Sequence, residues 1–125
     1  MKRIIHTPNA PAAIGPYSQA IEVGGTLYVS GQIPLNPQTM KMVDGGIQEQ
    51  TEQVMKNIGA ILKEAGYKFS DVVKSTCLLS TMANFKAMNE VYANYYPANA
   101  PARAAFAVKE LPMGALIEIE TIAAK

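Results

Sequence analysis

The chain has 125 residues with a formal net charge of +1 and about half of its residues hydrophobic. That is the length of one domain spanning 1–125, with no room for separate cofactor and substrate domains. The charge balance argues against nucleic acid or an acidic membrane surface as main partner. The single cysteine, Cys77, excludes an internal disulfide and a thiolate metal cluster, which fits a reducing compartment. No apolar run follows the basic Lys2-Arg3 pair or approaches the roughly 20 residues of a membrane span. The expectation is a cytoplasmic protein.

Residues 2–6 suit a short edge strand. Pro8, Pro11, Gly15 and Pro16 then impose an ordered loop. Tyr17 to Val23 and Thr26 to Ser30 read as two strands joined through Gly24-Gly25, a hairpin signal. Residues 31–46 form a second loop. From Ile47 to Ala65 the apolar positions Ile47, Val54, Ile58, Ile61, Leu62 and Ala65 fall on one helical stripe, and Gly66 supplies the stop.

Asp71 to Leu79 reads as a strand. Thr81 is the expected N-cap of a second helix over Ala83–Tyr95, with Phe85, Met88, Val91, Tyr92 and Tyr95 as its buried stripe. Pro97 and Pro101 bound the next loop. Ala102 to Val108 and Leu116 to Ala123 close the chain as strands. Two helices and about six strands are most economically arranged as an α+β fold, one sheet with both helices on one face. The opposite face, if apolar, needs a second subunit to cover it.

Few residues suit chemistry. His6 is the only histidine, which leaves metal sites and Ser-His-Asp arrangements without their usual parts. Cys77, mid-strand, reads as a buried inert thiol. No phosphate-cradling glycine pattern is present.

Arg103 is one of two arginines against nine lysines, and it stands in the small-residue run Ala102-Arg103-Ala104-Ala105-Phe106-Ala107. Strand alternation turns Arg103, Ala105 and Ala107 to one face, a hollow with a cationic floor suited to a carboxylate. A structural ion pair with a glutamate is an equally good reading. Glu118 and Glu120 share one face of the last strand. Antiparallel pairing of the two C-terminal strands would bring one of them near Arg103. Tyr17, aimed by Gly15-Pro16, is a candidate cleft wall or a core tyrosine. Gly31 allows close backbone approach or makes a bulge. Asn89, on the second helix, either caps backbone or meets a ligand.

Together the motifs are similar to a known family. Asn9-Ala10-Pro11-Ala12-Ala13-Ile14-Gly15-Pro16-Tyr17-Ser18-Gln19, Ser30-Gly31-Gln32-Ile33-Pro34, Pro101-Ala102-Arg103 and Ile117-Glu118-Ile119-Glu120 resemble, in order and spacing, the signatures of the reactive intermediate deaminase (Rid) family. The resemblance implies a chorismate-mutase-like subunit and a homotrimeric barrel with ligand clefts between subunits. It implies hydrolysis of 2-imino or 2-enamino acids, such as 2-iminopropanoate and 2-iminobutanoate, to 2-keto acids and ammonia, without cofactor or metal.

By that resemblance Arg103 binds the substrate carboxylate and Glu118 positions the attacking water. Tyr17, Gly31, Asn89 and Ala105 line the cleft. Ala105 departs from the pattern, because many members carry a cysteine there, and any thiol role at that position is excluded. The alternative is a non-catalytic sensor of a small 2-keto acid built on the same cleft.

Overall fold

The computed structural model covers residues 1–125. Its elements are β1 (Arg3–Ile5), β2 (Ala20–Val23), β3 (Thr26–Gln32), α1 (Ile47–Ala65), β4 (Val72–Leu79), α2 (Phe85–Tyr92), β5 (Ala102–Ala107) and β6 (Ile117–Ala124). All six strands join one sheet in the order β1-β2-β3-β6-β4-β5. Every pairing is antiparallel except that of β4 with β5. The α+β architecture is the expected one, with both helices on one face. No helix is long and apolar enough to cross a membrane.

α1 forms where its periodicity places it. Glu49 reaches back to accept from the Gly46 N–H at 2.8 Å, satisfying a donor the first turn leaves free. At the other end Gly66 takes the left-handed conformation at φ 85°. The guanidinium of Arg3 and the ammonium of Lys125 donate to the carbonyls of Ala65 and Gly66, which ties both chain ends to the negative end of the helix. Val54, Met55, Ile58, Ile61 and Leu62 are buried against Leu27, Ile117, Ile119 and Leu79 of the sheet.

Three expectations change in detail. The strand expected from Tyr17 begins only at Ala20, because the chain before it is held by side chains instead of a ladder. The buried Gln19 amide accepts from the Thr7 N–H and donates to the carbonyls of Thr7, Ala10 and Pro11. The helix expected over Ala83–Tyr95 is α-helical only from Phe85 to Tyr92, with tight 3-10 turns at Met82–Asn84 and Ala93–Tyr95. Thr81 does cap, but it accepts from Ala83 and so closes the tighter turn.

The third change matters for function: β5 and β6 are not neighbours. The crossover through α2 returns the chain parallel to β4, on its free side, so β4 lies between them. Ser75 is in register with both Arg103 and Thr121, and Leu78 with both Phe106 and Glu118. Alternation then sends Arg103, Ala105 and Ala107 toward the helices with the buried Cys77, Ile119 and Thr121. It sends Glu118 and Glu120 to the opposite face. The expected meeting of Arg103 with one of these carboxylates does not occur within one chain.

That opposite face is apolar across four strands. Ile4, Ile21, Tyr28 and Ile122 stand in one cross-strand row. Ile4 is 64% exposed, Tyr28 49% and, on β5, Phe106 48%.

Replacing Gln19 with leucine keeps the volume and strands one N–H and three carbonyls of the 7–11 loop. The expected cost is about 3 kcal/mol, read as a lower urea midpoint with an unchanged slope.

Candidate functional site

The arginine half of the site is built by β5 and α2. β5 is an edge strand with one neighbour, and its small residues leave the Arg103 side chain free to lie over α2. Nη1 of Arg103 donates to Oδ1 of Asn89 at 2.6 Å. The guanidinium carbon sits 5.3 Å from the ring centroid of Phe85 and 5.1 Å from that of Tyr92. No carboxylate pairs with it, because the one ion pair of the chain joins Arg3 to Glu22. The structural ion-pair reading therefore fails for Arg103.

The arginine opens onto a cleft of about 450 Å³ whose walls include Asn89, Tyr92, Tyr96 and Pro101. The expected alanine walls contribute less: Ala105 and Ala107 do not line this cleft, and Ala105 is half-buried against the core. Beside Ala105 in register lies Cys77, wholly buried. Burial pushes its thiol up to about 11, against the lowering pull of the Arg103 charge. That is the inert thiol expected from its mid-strand position.

The carboxylate half lies across the sheet. β3 carries a bulge between Val29 and Gln32 where it pairs with β6, and Gly31 falls inside it. A Cβ on Gly31 would overlap Oε2 of Glu118, so the glycine makes room for that carboxylate. This distinguishes the two glutamates: Glu118 is half-buried against the bulge, whereas Glu120 is exposed. Burial raises the pKa of Glu118 above the ordinary carboxylate value, and the neighbouring charge of Glu120 raises it further.

Tyr17 stands at the rim of this half. Gly15, at φ 123°, and Pro16 turn the chain, and the Tyr17 N–H donates to the Gly15 carbonyl at 2.9 Å. Tyr17 is 53% exposed and lines a small hollow of about 70 Å³ together with Gly31, Gln32 and Ile33. It is not a core tyrosine.

The structure thus sorts the sequence candidates into two groups, Arg103 with Asn89 on one side of the sheet and Tyr17, Gly31 and Glu118 on the other. Ala105 lies behind the first group. One group offers a cation with a free donor fork, suited to a carboxylate. The other offers a half-buried carboxylate, suited to holding a water. Sequence reasoning missed Phe85, Tyr92 and Tyr96 as site residues. Phe85 and Tyr92 fit the buried stripe, and only their spacing of four and three residues from Asn89 places them with it on one helical face.

Comparison with known proteins bears on this arrangement. The model of the family described as Endoribonuclease L-PSP matches residues 7–125. The 2-iminobutanoate/2-iminopropanoate deaminase of Mus musculus is 50% identical over 123 residues, covering 98% of this chain and 91% of the mouse protein. A crystal structure from Thermotoga maritima superposes with a TM-score of 0.98 at 50% identity, covering 100% of this chain and 98% of that one. The crystal structure of Escherichia coli TdcF with bound serine superposes with a TM-score of 0.93 at 36% identity, covering 98% of each chain. The chain therefore belongs to the Endoribonuclease L-PSP family, the Rid family whose motifs its sequence carries.

Proposed function

We propose that this protein hydrolyses short 2-imino acids and their enamine tautomers to 2-keto acids and ammonia, at sites formed between subunits of a homotrimer. The observation that carries the reading is Arg103, an arginine with no carboxylate partner, opening onto a cleft. An unpaired guanidinium there is suited to an anionic substrate. The name of the mouse relative supports an imino acid as that substrate, and the serine in TdcF supports a ligand of amino-acid size.

The two half-sites call for an assembly. One sheet face buries its apolar row only against another copy, and that same face carries Glu118. Docking of the Arg103 edge of one subunit against the Glu118 face of the next would cover apolar surface and join cation to carboxylate in one step. A closed ring is the expected outcome of such a head-to-tail contact.

In this arrangement Arg103 forks onto the substrate carboxylate and fixes C2 of the imine. Glu118, as the carboxylate, accepts a proton from a water whose oxygen attacks C2 of the protonated imine. The C2–O bond forms as the C2=N π pair moves to nitrogen, which gives the neutral carbinolamine. Glu118 returns the proton to that nitrogen, the C2–N bond breaks as ammonia leaves, and the hydroxyl proton passes through Glu118 to the departing ammonia as C2=O forms. These imines hydrolyse slowly in water unaided, so orientation and charge complementarity are sufficient catalysis. Tyr17 and the backbone at Gly31 would close the water side, with Asn89 and Ala105 behind the arginine.

A nuclease reading, suggested by the family's description, finds little support: the net charge is +1, and nucleic-acid binders display a basic stripe. The sensor reading shares every residue named here and is separated from catalysis by turnover.

Arg103→Ala is expected to lower kcat/KM about a hundredfold, on the order of 3 kcal/mol, in an assay coupled to a threonine dehydratase, with the fold intact by circular dichroism. Full activity in that variant contradicts the proposal. The acid limb of the pH profile should follow Glu118, whose carboxyl must lose its proton to act as base. Its pKa is raised partly by Glu120, so Glu120→Gln should move that limb to lower pH. A limb that stays in place or moves upward removes Glu118 from the role.

A further inference from the structure

We propose that Phe85 and Tyr92 are positioning residues for Arg103, two walls of an aromatic cradle on α2 anchored from beneath by a buried cluster of hydroxyls. The proposal deepens the reading of Arg103 as carboxylate anchor and rests on it.

A long side chain on an edge strand with no ion-pair partner keeps much of its rotamer freedom. The structure shows what limits that freedom. Phe85, Asn89 and Tyr92 follow one another on a single face of α2 and all meet the guanidinium, the rings at 5.3 and 5.1 Å and the amide at 2.6 Å. The chemistry of these partners matters. A glutamate in either ring's place would occupy the donor fork that a substrate needs. Ring faces attract the cation without taking an N–H. Asn89 accepts one N–H from Nη1, and the Nε–Nη2 edge stays open for a carboxylate.

The anchoring lies one layer deeper. The phenolic oxygens of Tyr92 and Tyr96 and the hydroxyls of Ser75 and Thr121 are buried with no partner at full hydrogen-bond geometry. Burial raises the pKa values of both phenols, and Ser75 lies close enough to each to pull them down against it. Ser75 is in register with Arg103 on one side and Thr121 on the other, so these hydroxyls lie beside the arginine on the same face of the sheet, on the next two strands. Buried hydroxyls gather where they share hydrogen bonds with one another or with an internal water. In this reading the phenolic end of Tyr92 is held against Ser75 of β4 while its ring faces the guanidinium. The bulk of the tyrosine fills the helix–sheet contact, and its polar tip fixes the tilt.

The test uses the full chain with nitrogen-labelled arginine. Only Arg3 and Arg103 are present, so the spectrum holds two Nε–H signals, assigned by Arg103→Lys. The Arg103 signal is expected at a ring-shifted position, moved toward that of a free arginine by Tyr92→Leu and left nearly in place by Tyr92→Phe. In the coupled imine assay Tyr92→Leu is expected to raise KM about tenfold with kcat nearly unchanged. Tyr92→Phe, which keeps the ring but loses the anchor, is expected to raise it by less, about threefold.

Phe85→Leu provides the same two readouts should Tyr92→Leu fail to fold. An Arg103 signal unmoved by loss of a ring, or a KM unchanged by it, overturns the cradle. If the ring-loss variants move the arginine signal as expected but the wild-type protein turns over no imine, the cradle is upheld and only the catalytic reading is overturned.

Discussion

Parallel pairing of β5 with β4 decides where the chemistry can occur. The crossover through α2 is long enough to return β5 parallel to the strand it left, and here it takes the free edge, leaving β6 on the far side of β4. With that register, alternation of side chains turns Arg103 toward α2 and Glu118 toward the open face. The sheet itself stands between the cation and the carboxylate. A single chain therefore holds the two halves of the proposed site apart, and nothing short of unpairing the sheet would bring them together.

Other features become intelligible from that constraint. The open face is apolar where a lone sheet would be polar, with Ile4, Ile21, Tyr28 and Ile122 in a row. The edge strand that carries Arg103 is made of small residues, which leave the guanidinium room over α2 and also suit close approach of another chain. Gly31 yields its Cβ volume to Glu118 on the covered side of a proposed contact. Assembly and site formation would then be one event, with the apolar burial stabilising the geometry that catalysis uses.

Much of the fold was legible in the sequence because it rests on local rules. The stripe from Ile47 to Ala65 and the glycine after it gave α1 at its observed bounds, and Gly24-Gly25 gave the β2–β3 hairpin. Spatial order was harder. Consecutive strands are usually neighbours, and β5 and β6 break that habit for a reason that lies in the crossover and not in their own residues. The site divides the same way. Arg103 stood out by its small neighbours, but its space comes from α2, and Ala105 and Ala107 do not wall the cleft. Glu118 and Glu120 are equivalent by alternation; a bulge in another strand separates them. Phe85 and Tyr92 satisfied a core pattern and a cradle at once, and a hydrophobic period cannot tell those apart.

Mixing of two defective subunits tests the divided site most directly. Arg103→Ala and Glu118→Gln proteins, each strongly impaired alone, are unfolded together at equal concentration, refolded and assayed. If every site takes its arginine from one subunit and its glutamate from the next, random assembly restores about a quarter of the sites. A site contained within one chain predicts no recovery, and a properly folded mixed assembly without activity would contradict the account.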